Sequence, residues 1–199
     1  MDPMIEKLKI PHFVAIDRLP ALFPTHRHAG AFWESLGRAV ATFGFLEEVL
    51  GKAIFSFTAT RAYDESEIYQ AYTEWLPKLE CALIDPLGNL IDAYGKAARE
   101  NPSSRIQDLD GLLAKLREAS AMRNILCHGS WRPPDANGDS LPLFVNRQRQ
   151  VVETKMNCEF INQVQRHAAE LACLVISTVT EMGWRFPGST GPGEPIWKS

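Results

Sequence analysis

The chain has 199 residues, 45% hydrophobic and 23% charged, with a formal net charge of -3 and an isoelectric point near 6.0. That length fits one globular domain with a core of real size. The acidic balance excludes attachment to nucleic acid by bulk charge, so any such contact needs a local patch or a site shared between subunits.

Residues 1–30 are mixed in character and interrupted by Pro3, Pro11, Pro20 and Pro24, the pattern of an irregular arm lying on a domain. Early charges (Asp2, Glu6, Lys7, Lys9) leave no apolar leader, and no apolar run approaches the ~20 residues that span a bilayer. The expectation is a soluble, cytoplasmic protein with no membrane partner. Cys81, Cys127, Cys158 and Cys173 show no CxxC spacing and fall in predicted helices. They read as buried free thiols of a reducing compartment, not zinc ligands or disulfides.

From Ala31 to about Phe57 the pattern is helical, with Phe32, Leu36, Val40, Phe43, Leu50 and Ile54 on one stripe. Asp64 and Glu67 look like a capping pair opening a second helix, which Pro77 kinks or ends. Asp85 and Pro86 then supply a cap and a first helical proline for a segment to about Glu100 that buries Leu87, Leu90, Ile91 and Tyr94. After the break at residues 101–104, Ser104 and Gln107 form a capping box for a helix through Leu109, Leu113, Leu116 and Ser120, which Gly129 stops.

The turn-rich stretch Pro133 to Asp139 precedes two extended runs, Leu141 to Asn146 and Gln150 to Met156, read as a β-hairpin inserted at about 131–156. Asn157 caps a last helix through Ile161, Val164, Ala168, Leu171, Val175 and Met182, closed by Gly183. The tail, 184–199, is predicted to be disordered. The predicted fold class is all-α: an antiparallel helical bundle over 31–183 with a small hairpin before the last helix.

One stretch carries chemistry: Ala119-Ser-Ala-Met-Arg123-Asn124-Ile-Leu-Cys-His128-Gly129, at the end of a strongly helical segment. At about 100° per residue, Leu109, Leu113, Leu116, Ser120 and Cys127 set the apolar face, and Arg123 falls near its middle. A charge there is costly unless it is paired or faces another subunit across a wet cleft. Asn124 and His128 share one row of the helix, so Asn124 can hold the imidazole in one tautomer or contact a ribose or phosphate. A permanent cation beside a side chain that exchanges protons near neutral pH suits phosphodiester chemistry. On the first helix Glu47 lies on the apolar stripe and Glu48 points away. Glu47 either pairs with Arg123 or occupies the exposed end of that stripe.

The six residues from Arg123 to His128 resemble the Arg-x4-6-His signature of the HEPN superfamily, in the version with a polar residue directly after Arg. Motif placement near the end of a late helix, with one more helix following, is similar as well. The resemblance implies a metal-independent endoribonuclease needing no cofactor, usually a homodimer, in which Arg and His of both subunits line one cleft. Its partners would be an RNA substrate, a second copy and, for a toxin, an antitoxin protein. By the same resemblance Arg123 would hold the scissile phosphate and stabilise transition-state charge. His128 would act as general base on a ribose 2′-OH or as general acid to the leaving oxygen. Asn124 would orient one of these groups, and the product would carry a 2′,3′-cyclic phosphate. Other members have lost activity and serve as binding or scaffold modules. A toxin branch carries Tyr two residues past His; here that residue is Ser130, so regulation through such a tyrosine is not supported. The hairpin is an addition to the minimal bundle.

The competing view is that Arg123 and His128 only brace the helix end, where a histidine favours the dipole. Arg132, Arg147 and Arg149 put cations on and beside the hairpin, able to guide RNA or simply to solvate a turn. Trp131 either stacks on a base or packs on the bundle end. His26-Arg27-His28 lacks an acidic or cysteine neighbour and reads as ordinary surface, not a metal site. His167, between Val164 and Leu171, reads as a core or subunit-facing histidine.

Overall fold

Apolar residues alternating at four- and three-residue spacing shape the first helix. Helix α1, Gly30–Ala59, buries Phe32, Leu36, Ala39, Phe43, Leu46, Leu50, Ala53 and Phe57. This spacing keeps one seam on one side of a rod about 45 Å long. The computed structural model describes residues 13–61, 64–66, 69–70, 73, 86–146 and 148–189. Val40, expected on the seam, is 38% exposed, and Ile54 is half-buried. Ala39 and Ala53 hold those seam positions instead, and weighting by side-chain size passed over them.

The next described helix is α2, Leu87–Glu100, and it buries Leu87, Leu90, Ile91 and Tyr94 as expected. Pro86 is its cap residue, not its first helical residue. Asp85 and the greater part of the helix expected after Asp64, with Glu67 and Pro77, lie outside the described residues.

Helix α3, Leu109–His128, begins later than the capping box at Ser104 and Gln107 predicts. Asp108 caps it instead, its Oδ1 accepting from the Gly111 N–H at 2.9 Å. The reason lies just upstream. Buried Asn101 donates to the Phe57 carbonyl at 2.7 Å and to Thr60 Oγ1 at 3.0 Å, and accepts from the Ser103 N–H at 2.8 Å. Those bonds pin the following stretch as a loop against the end of α1. The buried face of α3 is Leu112, Leu113, Leu116, Ala119 and Leu126. Leu109 and Ser120 are only half-buried and Cys127 is exposed, so the face is rotated from the one predicted.

Directly after α3 the chain turns into strand β1, Ser130–Trp131, which pairs antiparallel with β2, Pro142–Leu143, in the register Ser130 to Leu143 and Trp131 to Pro142. The expected hairpin between 141–146 and 150–156 is reduced to single bridges, Ser140 to Met156 and Val145 to Val151. Helix α4, Cys158–Thr180, starts as predicted on Asn157, whose Oδ1 accepts from the Phe160 N–H at 3.0 Å. It stops at Thr180, leaving Met182 in the turn that ends at Gly183 with φ +88°.

The architecture is a helical bundle with one small two-stranded sheet between α3 and α4. The most extensive helix packing joins α1 to α4, with α2 and α3 closing the core around Tyr94, Leu113, Leu116 and Val175. Tyr94 donates to Thr178 Oγ1 at 2.9 Å, because the Thr178 hydrogen is already given to the Val175 carbonyl. Burial pushes the Tyr94 phenol up to about 12. Among the described residues no helix is long and apolar enough to cross a membrane. The expectation of buried cysteines is corrected: Cys127 is exposed, Cys158 and Cys173 are half-buried, and all three are free thiols. Cys81 and tail residues 190–199 lie outside the described residues.

Candidate functional site

Helix α3 ends by close approach, not by a left-handed turn. Gly129 has an ordinary extended backbone (φ -69°, ψ 135°), and its N–H closes the helix on the Ile125 carbonyl at 2.9 Å. A Cβ there would lie 2.6 Å from the Ile125 carbonyl oxygen and 2.9 Å from Pro142 Cβ. The last turn of α3 is thus pressed against β2, and the motif side chains sit at this junction.

Arg123 occupies the seam between Ala119 and Leu126 on α3, a position a leucine would suit. Its side chain is 27% exposed, and Nη2 lies 3.4 Å from Glu47 Oε1 on α1. Of the two placements open for Glu47, the structure gives the inward pair. The contact is an ion pair without hydrogen-bond geometry, since Glu47 Oε1 is sealed from solvent and accepts no hydrogen bond. Arg123 Nη1 points to Asn124 Oδ1 at a long 3.4 Å. A guanidinium has five N–H donors, so neither contact exhausts it.

His128 is exposed at the end of α3 and has no hydrogen-bond partner among the described residues. Asn124 lies one turn before it on the same row, half-buried. Arg123 and His128 are five positions apart, roughly 140° around the helix. One chain therefore presents the cation inward and the imidazole outward, and a phosphate touched by both must sit at the helix end or between two chains.

The remaining candidates separate. Trp131 is half-buried on the bundle end, edge-on to Phe32 with ring centroids 5.0 Å apart. Arg132 and Arg149 are exposed, with Arg149 in a left-handed turn (φ 63°) between the hairpin runs. Arg147 lies outside the described residues. His167 is not a core histidine: it is 49% exposed, with Glu170 3.8 Å away. It borders a hollow of about 290 Å³ floored by Phe43, Ala119 and Met122, beside the start of the motif. A larger hollow of about 580 Å³ lies near Asp108 and Glu181, at the opposite end of α3 from His128. Size alone does not choose the site.

Sequence reasoning missed His28, which is not ordinary surface. It is half-buried, stacked on Phe32 at 4.4 Å and edge-on to Trp33 at 5.1 Å. Ser140 Oγ gives its hydrogen to the Arg132 carbonyl at 2.6 Å, so His28 Nε2 donates to Ser140 Oγ at 3.0 Å. Nδ1 is then a bare acceptor, buried without a partner. Burial holds the His28 pKa below the ordinary histidine value, offset in part by the Arg132 backbone. The signal in the sequence was the spacing of His28, Phe32 and Trp33 at the entry to α1, legible only once Trp131 and Ser140 meet it. Among the described residues no group of three or more His, Cys, Asp or Glu is placed to hold a metal ion.

Comparison with known proteins gives no match: no family model fits the sequence, and no curated protein or solved structure matches it.

Proposed function

We propose that the chain is an endoribonuclease of HEPN type that cuts RNA by 2′-OH attack without a metal ion. The observation that carries this reading is the end of α3, where a half-buried Arg123 with unspent donors and an exposed His128, without a hydrogen-bond partner among the described residues, share one rigid helix with Asn124 between them. Arg123 binds the scissile phosphate and opposes the charge that builds on it in the transition state. His128 takes the 2′-OH proton or returns one to the leaving 5′ oxygen. Glu47 positions the guanidinium from α1. The divergence of Arg123 and His128 on one helix is met by a second copy, whose own pair completes a shared cleft. In a toxin role an antitoxin would cover that cleft, and Arg132 and Arg149 supply cations along the path of the strand.

The Glu47–Arg123 pair also favours a second reading, a catalytically silent helical module that binds a protein partner or a nucleotide. A purely structural arginine would be held in the same way.

Cleavage of a mixed-sequence RNA in EDTA separates the two. Wild type should cut, leaving 2′,3′-cyclic phosphate ends, and Arg123→Ala and His128→Ala should each lose about 10²–10⁴-fold in rate at unchanged melting temperature. No cutting by folded wild type, or equal cutting by both variants, selects the second reading.

A further inference from the structure

Just beyond the motif, the N-terminal arm and β1 enclose a groove of about 350 Å³ lined by Phe23, His26, Arg27, His28, Trp131 and Pro133. That volume falls in the small-ligand range of about 300–1,000 Å³. Its walls are aromatic or proline faces. Phe23 and His26 stack on each other with centroids 5.8 Å apart and rings 27° from parallel, and Phe23 is 56% exposed. Trp131 closes the far side, held edge-on by Phe32.

One cation, Arg27, lines this groove, and a second, Arg132, follows Trp131 in the chain outside the lining. Arg27 in the groove and Arg132 next to Trp131 are both exposed, and neither has an ion-pair partner among the described residues. The nearby hairpin acids are engaged elsewhere: Asp135 holds Lys155 at 2.6 Å, and Asp139 accepts from Asn157 at 2.8 Å. In a chain with net charge -3, an unspent guanidinium in an aromatic groove, with a second next in sequence to its tryptophan, is a local reversal of sign. Aromatic faces accept any base by stacking, and free arginines take the phosphates between bases.

We infer that this groove holds one unpaired nucleotide of a single-stranded RNA, with its base against Trp131 and Phe23 and the neighbouring phosphates on Arg27 inside the groove and on exposed Arg132 outside it. A paired base inside a duplex cannot offer its face this way, so the groove selects single strands or loops. Trp131 follows His128 by three residues, which limits their Cα separation to about 11 Å. A base held here therefore fixes which phosphodiester reaches the end of α3. This inference deepens the ribonuclease reading and rests on it for the link to cleavage, though binding is measurable without any cut.

The test is binding of a fluorescein-labelled, fully 2′-O-methylated single-stranded RNA decamer, which lacks the attacking hydroxyl. Wild type should bind it at least about tenfold more tightly than a blunt duplex of the same sequence. Arg27→Glu and Arg132→Glu, both at exposed side chains, should each weaken binding about tenfold and lower the salt dependence by about one unit of slope. Trp131→Leu should weaken binding with little loss of salt dependence. Equal binding of single strand and duplex, or unchanged affinity in both arginine variants, overturns the groove. So does capture of a proline-rich peptide without RNA binding. Groove-dependent binding with no cleavage by wild type would leave the inference standing and remove the ribonuclease reading; cleavage with affinity untouched in the arginine variants would do the reverse.

Discussion

At the scale of single residues, Arg123 poses an energetic question. A guanidinium in a helix seam loses hydration, and its attraction to Glu47 recovers only part of that loss. Glu47 and Arg123 are each 27% exposed, so breaking the pair should cost less than the ~3–5 kcal/mol of a fully buried one. Replacing both partners by apolar groups removes the desolvation cost together with the attraction. The double variant Glu47→Leu/Arg123→Met is therefore expected to melt at or above the wild-type temperature while losing the RNA cleavage proposed above. Arg123→Met alone should melt lower than the double variant, because it strands the Glu47 carboxylate. Calorimetry of the three proteins checks this. A double variant that melts as far below wild type as Arg123→Met alone would make the pair a structural brace and favour the silent module.

At the scale of elements, the junction of α3 with the small sheet depends on Gly129. An added methyl meets a backbone oxygen at 2.6 Å and Pro142 at 2.9 Å, and neither neighbour can swing away as a flexible side chain would. Gly129→Ala is expected to cost about 1–3 kcal/mol, read by urea unfolding, by fraying the last turn of α3 or lifting β2. Gly138→Ala, with nothing near the added carbon but a φ of +81°, is the comparison that isolates backbone strain from crowding. An unchanged midpoint for Gly129→Ala would mean the junction is loose. The same elements show what a sequence can reveal. Helices α2 and α4 were legible because their periodic residues are large and Asn157 caps where it stands. The seam of α1 was misplaced at Val40 because two alanines carry it, and α3 was started early because the hold of Asn101 on α1 is a tertiary bond invisible to local spacing. Strand β1 was missed because two residues carry no period. The inward placement of Arg123 against Glu47 was legible because a charged residue on an apolar face is conspicuous in one dimension. The His28 cluster was not, because its parts lie 112 residues apart.

At the scale of the whole molecule, that cluster fastens the arm to the sheet across most of the chain, and it does so with a neutral histidine. Phe32 and Trp33 on α1 enclose the ring, and Ser140 and the Arg132 backbone face it from the segment joining β1 to β2, with no carboxylate paired to it among the described residues. Burial lowers its pKa, so as pH falls past the ordinary histidine value the unfolded chain takes up a proton that the folded chain still refuses. Stability from this group is full above about pH 6.5, declines as pH drops toward the lowered folded value, and levels off below it. His28→Gln keeps a donor for Ser140 and removes the titration. Wild type should therefore lose melting temperature between about pH 7.5 and pH 5.5, and His28→Gln should lose measurably less over that interval. Parallel pH profiles for the two proteins would show that the arm is held by its aromatic packing alone.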